Sequence, residues 1–287
     1  VTARRLDGKE LAARLRAQAA DGVAAAAARG TKVRLAIVTA TQDESAAWYV
    51  RSLSSAAARA GIECELADLG AHAAPGRIEA ELVRLSADAA VHGIILQTPV
   101  PAGATAAELA DAIDPAKDVD GANPVSLGRL TAGLSAFAPA TAAAVIRLLD
   151  FHDVELSGRR AAVVGRSAVV GKPVAQLLLA RDATVTICHS RTPDLAAVTR
   201  EAEVLVAAAG RPGLITAGHV RPGAVVIDVG TSTTGDGSLV GDVGAAVAEV
   251  AAALSPVPGG VGPVTTAQLL LATTVAATGR RSSGKVR

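Results

Sequence analysis

Apolar positions recur along this 287-residue chain with two periods, and the periods alternate. Residues 7–29 carry apolar side chains at helical spacing up to Gly30. Val33–Val38 then reads as a buried strand. The next helical stretch, 43–60, stops at Gly61, and Ile62–Leu66 alternates as a strand does. Pro75 opens a helix over 76–87, and Val91–Gln97 is a strand stopped by Pro99 and Pro101. Thr105 and Glu108 form a capping box for a helix to Ile113. Thr141 caps a helix through Leu149. Strands follow at 160–164, 183–188, 203–208 and 224–229, with helices between the first three. A last helix, Val264–Ala277, ends at Gly279.

Two stretches break the pattern. Residues 114–140 are rich in Pro, Gly, Asp and Asn with little periodicity, and a loop of that length in such a protein is usually functional. Residues 255–263, dense in Pro and Gly, are expected to form neither helix nor central strand. Strand–helix alternation predicts an α/β fold with two parallel-sheet domains, the C-terminal one Rossmann-like. The expected boundaries are 1–140 for the first domain and 141–263 for the second. The helix 264–279 is expected to pack back onto the first domain, with 280–287 a flexible basic tail.

Composition narrows the classes. Half the residues are hydrophobic but only four are aromatic (Trp48, Tyr49, Phe137 and Phe151), so the core must be built from Ala, Val and Leu. A net charge of +1 without an internal basic block speaks against nucleic acid. No apolar run is expected to reach membrane-spanning length, and no signal-peptide pattern opens the chain. Met is absent even at position 1, which points to a trimmed or alternatively initiated start. Cys64 and Cys188 lie far apart on predicted strands and are expected to be reduced and buried, in keeping with a cytoplasmic protein. The five histidines show no metal-ligand spacing.

One region suggests a cofactor. The strand 160–164 runs into Gly165-Arg-Ser-Ala-Val-Val-Gly171, and a helix starts around Lys172-Pro173. A glycine turn between strand and helix lets backbone N–H groups and the helix N-terminus meet a dinucleotide pyrophosphate. Ser167 stands where a second glycine would be, so the turn alone also fits a tight connection without ligand. The next strand ends in His189-Ser190-Arg191. An NAD site usually places an acidic residue there. A hydroxyl and a guanidinium, with Arg166 as a second cation, suit the 2′-phosphate of NADP.

Ligands of open α/β sheets bind beyond the carboxyl ends of strands. Near those ends lie Tyr49, Gln97, the Asp118 and Asp120 pair of Lys117-Asp-Val-Asp-Gly121, and the run Pro258-Gly-Gly-Val-Gly-Pro263. Each has a plainer reading: Tyr49 as core, Gln97 as a strand end, Asp-x-Asp-Gly as a turn, and the glycine run as a linker. Together they make a site with one aromatic face, one amide, one carboxylate and a backbone clamp, suited to a flat heterocycle with donor nitrogens.

In combination these motifs resemble the methylenetetrahydrofolate dehydrogenase/cyclohydrolase family. They run in order as Tyr49-Val50, Gly61-Ile62, Ile95-Leu-Gln97-x-Pro99 and Lys117–Gly121, then Val164-Gly-Arg-Ser-x-x-Val-Gly-x-Pro173 and His189-Ser190. Ile227–Gly230, Val240–Val243 and Pro256-Val-Pro-Gly-Gly-Val-Gly-Pro263-x-Thr265 complete the series. The resemblance implies a folate site on the first domain, NADP on the second, an active site in the cleft between them, and a homodimer joined through the NADP domains. It assigns Tyr49 to stacking on the folate, and Gln97 and Asp120 to the reacting centre and pterin. Thr98 and Pro99 join the substrate site, as do Pro258, Gly259, Gly260, Val261, Gly262 and Pro263, with Thr265 and Thr266. Gly165, Arg166, Ser167, Ser190, Arg191 and Thr231 carry the cofactor contacts.

The chain departs from the family at one critical place. The family's catalytic lysine lies four residues after the Tyr, and here that position is Leu53. Arg51 points to roughly the opposite helix face. The family's Ser three residues before the Tyr is Ala46, and Ala-Thr-Ala follows Pro139 where a Pro usually comes after the Thr. Hydride transfer needs positioning and the electron push of the folate nitrogens, whereas ring opening by water needs proton transfers. The expectation is therefore a dehydrogenase with weak or lost cyclohydrolase activity, and an Asp120 whose pKa rises for want of a cationic partner. A catalytically silent folate/NADP binder and an oxidoreductase of a modified pterin are the alternatives.

Overall fold

The computed structural model describes residues 2–235 and 238–279, so the expected basic tail, 280–287, lies outside the described residues. The chain divides into two compact units. One comprises residues 13–140 and 266–279 and is called the first unit. The second unit comprises residues 2–12 and 141–265.

In chain order the elements begin with β1 (Arg4–Arg5), α1 (Lys9–Ala27), β2 (Arg34–Thr39), α2 (Glu44–Arg59), β3 (Glu63–Asp68), α3 (Pro75–Ala87) and β4 (Gly93–Leu96). There follow α4 (Ala106–Ala110), α5 (Pro124–Thr131), α6 (Ala140–Phe151), β5 (Arg160–Val164), α7 (Gly171–Leu179), β6 (Thr184–Cys188), α8 (Leu195–Thr199), β7 (Val204–Ala207) and β8 (Val225–Asp228). The hairpin strands β9 (Ser232–Thr233) and β10 (Leu239–Val240), then β11 (Ala253–Leu254) and α9 (Val261–Thr278), complete the fold.

The first unit holds a parallel sheet in the order β3-β2-β4. Alternation along β2 supplies two cores. Leu35 and Ile37 join one cluster with Val50, Leu53, Leu269 and Leu270, while Ala36 and Val38 join another with Ile78, Leu82 and Leu109. α2 starts where the Asp43 carboxylate accepts the Ala46 N–H at 2.7 Å. It buries Ala46, Val50, Leu53, Ala56 and Ala57, one stripe at three- and four-residue spacing. Cys64 is only partly buried, contrary to expectation, because β3 is an edge strand.

The second unit is Rossmann-like, with a parallel sheet in the order β1-β11-β8-β7-β5-β6. Residues 2–12 were expected with the first domain but belong here. β1 pairs with β11, and the Leu6 and Gly8 N–H groups donate to the carbonyls of Leu254 and Gly259.

Three further expectations need correction. The stretch 114–140 contains α5, opened by the Asn123 side chain, which accepts the Val125 N–H at 2.6 Å, with Pro124 at the first helical position. α9 begins at Val261 rather than 264. Pro263 falls in its first turn, where N–H groups have no intrahelical partner and the ring is tolerated. α9 is also, at 18 residues and mean hydropathy 1.2, long and apolar enough to cross a membrane by length and composition. Its Leu269, Leu270 and Ala272 are instead spent on the core of the first unit.

Candidate active site

In the first unit, α2 places the half-buried Tyr49 one turn before the buried Leu53, while Trp48 and Arg51 face outward. Leu53 is 1% exposed within the apolar cluster, and Tyr49 packs against that cluster. Burial, and then the nearby Asp120 carboxylate, hold the phenol well above its ordinary pKa. The Thr266 side chain on α9 lies close to the Tyr49 hydroxyl and pulls its pKa down. The structure thus brings Tyr49, Leu53, Asp120 and Thr266 together.

The loop before α5 separates its two aspartates into different tasks. Asp118 is fully buried, and its two oxygens accept the Ala122 and Asn123 N–H groups, each at 2.9 Å. The Asn123 amide in turn donates to the carbonyls of Ala110 (3.1 Å) and Ile113 (2.8 Å). Asp118 is therefore a structural turn residue. Lys117 is committed as well, its ammonium donating to the Ser86 and Asp88 carbonyls at 2.7 Å each. Asp120 retains partial solvent access but sits in apolar surroundings. Burial first, then the Asp118 charge, push its carboxyl up to about 7, while the Ala140 N–H pulls the other way. The rise anticipated at Asp120 is present, and its causes are burial and the Asp118 charge.

Gln97 directly follows β4, and its N–H donates to Val38. Its amide nitrogen turns to the Thr98 carbonyl at 2.7 Å rather than to Asp120. Thr98 and Pro99, joined by a cis peptide, are exposed.

In the second unit, Gly165 has φ +138°, and a Cβ there would lie 2.1 Å from the Ala208 carbonyl oxygen. A Cβ on Gly171 would lie 2.2 Å from the oxygen of Gly165, so the turn closes only with glycine at both ends. Ser167 replaces the missing middle glycine by bonding. Its hydroxyl accepts the Val170 and Gly171 N–H groups at 3.2 and 3.3 Å and orders the start of α7. Arg166 stands exposed after β5, and Ser190 and Arg191 stand exposed after β6, its neighbour in the sheet. Thr231 is exposed beyond β8.

The run from Pro258 to Pro263 is anchored rather than loose. Gly259 has φ +111°, its carbonyl accepts the Gly8 N–H at 2.8 Å, and a Cβ on Gly8 would sit 2.0 Å from the Gly260 oxygen. The Thr265 hydroxyl donates to Val261 of its own helix at 3.3 Å.

Two aspartates that sequence reasoning left without a role hold the loops beyond β7 and β8. Asp228 accepts the N–H groups of Gly230 and Asp242 at 2.9 Å and of Val243 at 3.0 Å. Asp242 accepts those of Ala209 (2.6 Å) and Gly210 (2.9 Å). The signal was the paired Asp-Val-Gly and Gly-Asp-Val motifs. A Cβ on Gly241 would lie 1.9 Å from Asp228, and one on Gly230 would lie 2.5 Å from Asp242, so each glycine admits a carboxylate.

Family models match both units. The tetrahydrofolate dehydrogenase/cyclohydrolase catalytic domain matches residues 6–120, and the NAD(P)-binding domain of the same family matches residues 139–281. The chain belongs to the tetrahydrofolate dehydrogenase/cyclohydrolase family. It is 62% identical over 266 residues to bifunctional protein FolD 1 of Saccharopolyspora erythraea, covering 92% of this chain and 91% of that one. It is 62% identical over 277 residues to bifunctional protein FolD 1 of Rhodococcus jostii, covering 96% and 93%. The solved bifunctional FolD of Campylobacter jejuni superposes with a TM-score of 0.92 at 35% identity, over 96% of this chain and 98% of that one. The Trypanosoma brucei enzyme, solved with NADP cofactor and inhibitor, superposes with a TM-score of 0.89 at 36% identity, over 99% and 100%.

This family member's second unit is an NAD(P)-binding domain. Its residues fit the cofactor. The glycine turn and the start of α7 present N–H groups for a pyrophosphate, and Arg166, Ser190 and Arg191 offer cations and a hydroxyl to a further phosphate.

Proposed function

We propose that this chain oxidises 5,10-methylenetetrahydrofolate to 5,10-methenyltetrahydrofolate with NADP, and that its cyclohydrolase activity is weak or lost. The observation that carries the reading is Leu53, a residue without a titratable group, buried in the apolar cluster one turn from Tyr49. Bound NADP supplies the hydride acceptor. The residues of this chain then have four tasks. Tyr49 offers a ring face to the folate, and Gln97 and Asp120 meet its polar atoms. Thr98, Pro99 and Thr266 of the first unit, and the Pro258–Pro263 backbone and Thr265 of the second, are each read as substrate-binding. Gly165, Arg166, Ser167, Ser190, Arg191 and Thr231 hold the cofactor.

Hydride loss from the methylene carbon requires no protein acid or base at that carbon, so orientation suffices. Hydration of the methenyl carbon requires a group that moves protons and steadies an oxyanion, which a leucine cannot do. Arg51, exposed on the other side of α2, is poorly placed to replace it. The protein is further read as a cytoplasmic homodimer that engages neither nucleic acid nor membrane. The open edge of β6, with Ile187 41% exposed, favours pairing through the NADP-binding units.

A paired assay on one preparation tests the function. NADP reduction with methylenetetrahydrofolate should leave a long-lived methenyl product, and Leu53→Lys should accelerate its hydrolysis by about 10²-fold or more. Methenyl loss in the wild type far above the buffer rate would overturn the proposal.

A further inference from the structure

β6 stands at the edge of the second unit's sheet, so the loop that follows it must take much of its order from its own bonds. The base of that loop is tied to the glycine turn. The Gly165 N–H donates to the carbonyl of the buried Cys188 at 2.9 Å. Beyond Cys188, three hydrogen bonds close residues 189–192 on themselves. The Thr192 N–H donates to the His189 carbonyl at 2.8 Å, a β-turn with Ser190 and Arg191 at its two central positions. The His189 N–H donates to the Thr192 hydroxyl oxygen at 2.8 Å. The Arg191 N–H donates to Nδ1 of the His189 ring at 3.2 Å, which requires that nitrogen to be unprotonated. Past Pro193, the Asp194 carboxylate accepts the Ala197 N–H at 3.1 Å and opens α8, so the loop is pinned at both ends.

The closure occupies the side chains of His189 and Thr192 and the backbone between them. The Ser190 hydroxyl and the Arg191 guanidinium stay exposed, with no hydrogen bond or ion pair among the described residues. An arginine loses rotamer freedom when it grips an anion, and a mobile backbone beneath it would add to that cost. A turn that is already closed removes the second part. We propose, on the NADP reading above, that His189 and Thr192 are positioning residues: their side-chain bonds hold Ser190 and Arg191 in place for the 2′-phosphate and so set the preference for NADP over NAD.

Both dinucleotides share a pyrophosphate, for which the glycine turn and the start of α7 present N–H groups without help from this loop. NADP alone carries the further phosphate that a guanidinium can grip through two N–H groups. The loss of either side-chain bond should therefore weaken NADP selectively. His189 acts here as an asparagine would in an Asx-turn, where an acceptor bonded to Cγ takes the N–H two residues on. Asparagine can thus replace the bond, and alanine cannot.

The test measures Kd for NADP and for NAD by titration calorimetry on the full-length protein and on Thr192→Val, Thr192→Ser, His189→Ala and His189→Asn. Thr192→Val and His189→Ala should each raise Kd for NADP about threefold to tenfold, the loss of one hydrogen bond, and leave Kd for NAD within about twofold. Thr192→Ser and His189→Asn should bind NADP as the wild type does. In an Arg191→Ala background, Thr192→Val and His189→Ala should lose most of their effect on NADP, because the guanidinium they position is gone. Equal losses for both cofactors would mark a structural role alone and overturn the proposal. So would an undiminished effect in the Arg191→Ala background, or an unchanged Kd for NADP in both deletions. The two bonds come from separate side chains, so a variant that folds poorly at one position leaves the other to decide. If the wild type binds NAD as tightly as NADP, the NADP reading fails instead. If it prefers NADP and the deletions keep that preference, only the positioning role fails.

Discussion

Asp120 makes a sharp forecast about stability against pH. Its carboxyl is pushed from the ordinary 3.8 to about 7, chiefly by burial and secondarily by Asp118. Between those values the unfolded chain has released a proton that the folded chain still holds, so stability falls as pH rises through this window. At about 1.4 kcal/mol per pH unit, the displacement corresponds to about 4 kcal/mol. Partial solvent access to the side chain screens some of it, leaving about 2–4 kcal/mol as the expected effect.

Asp120→Asn keeps the shape and removes the charge. Urea unfolding of the two proteins at pH 4.5 and pH 8 should show similar stabilities at the lower pH and a variant more stable by about 2–4 kcal/mol at the higher. Asp118 is also raised by burial and is present in both proteins, so only its coupling to Asp120 enters the difference. A difference that is the same at both pH values would refute the reasoning, because it would mean that Asp120 ionises as freely in the fold as in water.

Two further outcomes follow from the second unit. Arg191→Asp should raise KM for NADP about tenfold to a hundredfold, by removing one charge-assisted contact and adding repulsion, with NAD affected little. Equal losses for both cofactors would show that Arg191 does not meet the 2′-phosphate. Gly241→Ala puts a methyl group 1.9 Å from the Asp228 carboxylate, which already accepts three N–H groups, and should cost about 3 kcal/mol in urea unfolding. A cost below about 1 kcal/mol would mean that the loop beyond β8 yields more readily than its hydrogen bonding implies.

What could be read from the chain tracks what is written in local pattern. The buried stripe of α2, the alternation of β2 and the glycine turn after β5 each announce themselves within a few residues. β1 did not, because two exposed arginines carry no period and the strand exists only through its pairing with Ala253 and Leu254. The start of α9 was hidden by a proline and a glycine that usually stop helices but are harmless in a first turn.

At the site, spacing named Tyr49, Gln97 and the aspartate pair but could not divide the work of Asp118 and Asp120. That division depends on which carboxylate the Ala122 and Asn123 N–H groups reach. Nor could spacing say that Thr266 would meet Tyr49, since more than two hundred residues separate them. Leu53, by contrast, was legible at once, because an absent lysine is a matter of sequence alone.

The pairing of β1 with β11 also has a consequence for synthesis. Arg4 is made well before its strand partner Ala253, which lies far along the chain. The first unit waits still longer, for Leu269 and Leu270 of α9 to fill its core. Neither unit is therefore complete while most of the chain is on the ribosome. The nascent polypeptide must carry an open sheet edge at β8 and an unfilled alanine-rich core until β11 and α9 appear, a period in which chaperone capture or premature association competes with folding.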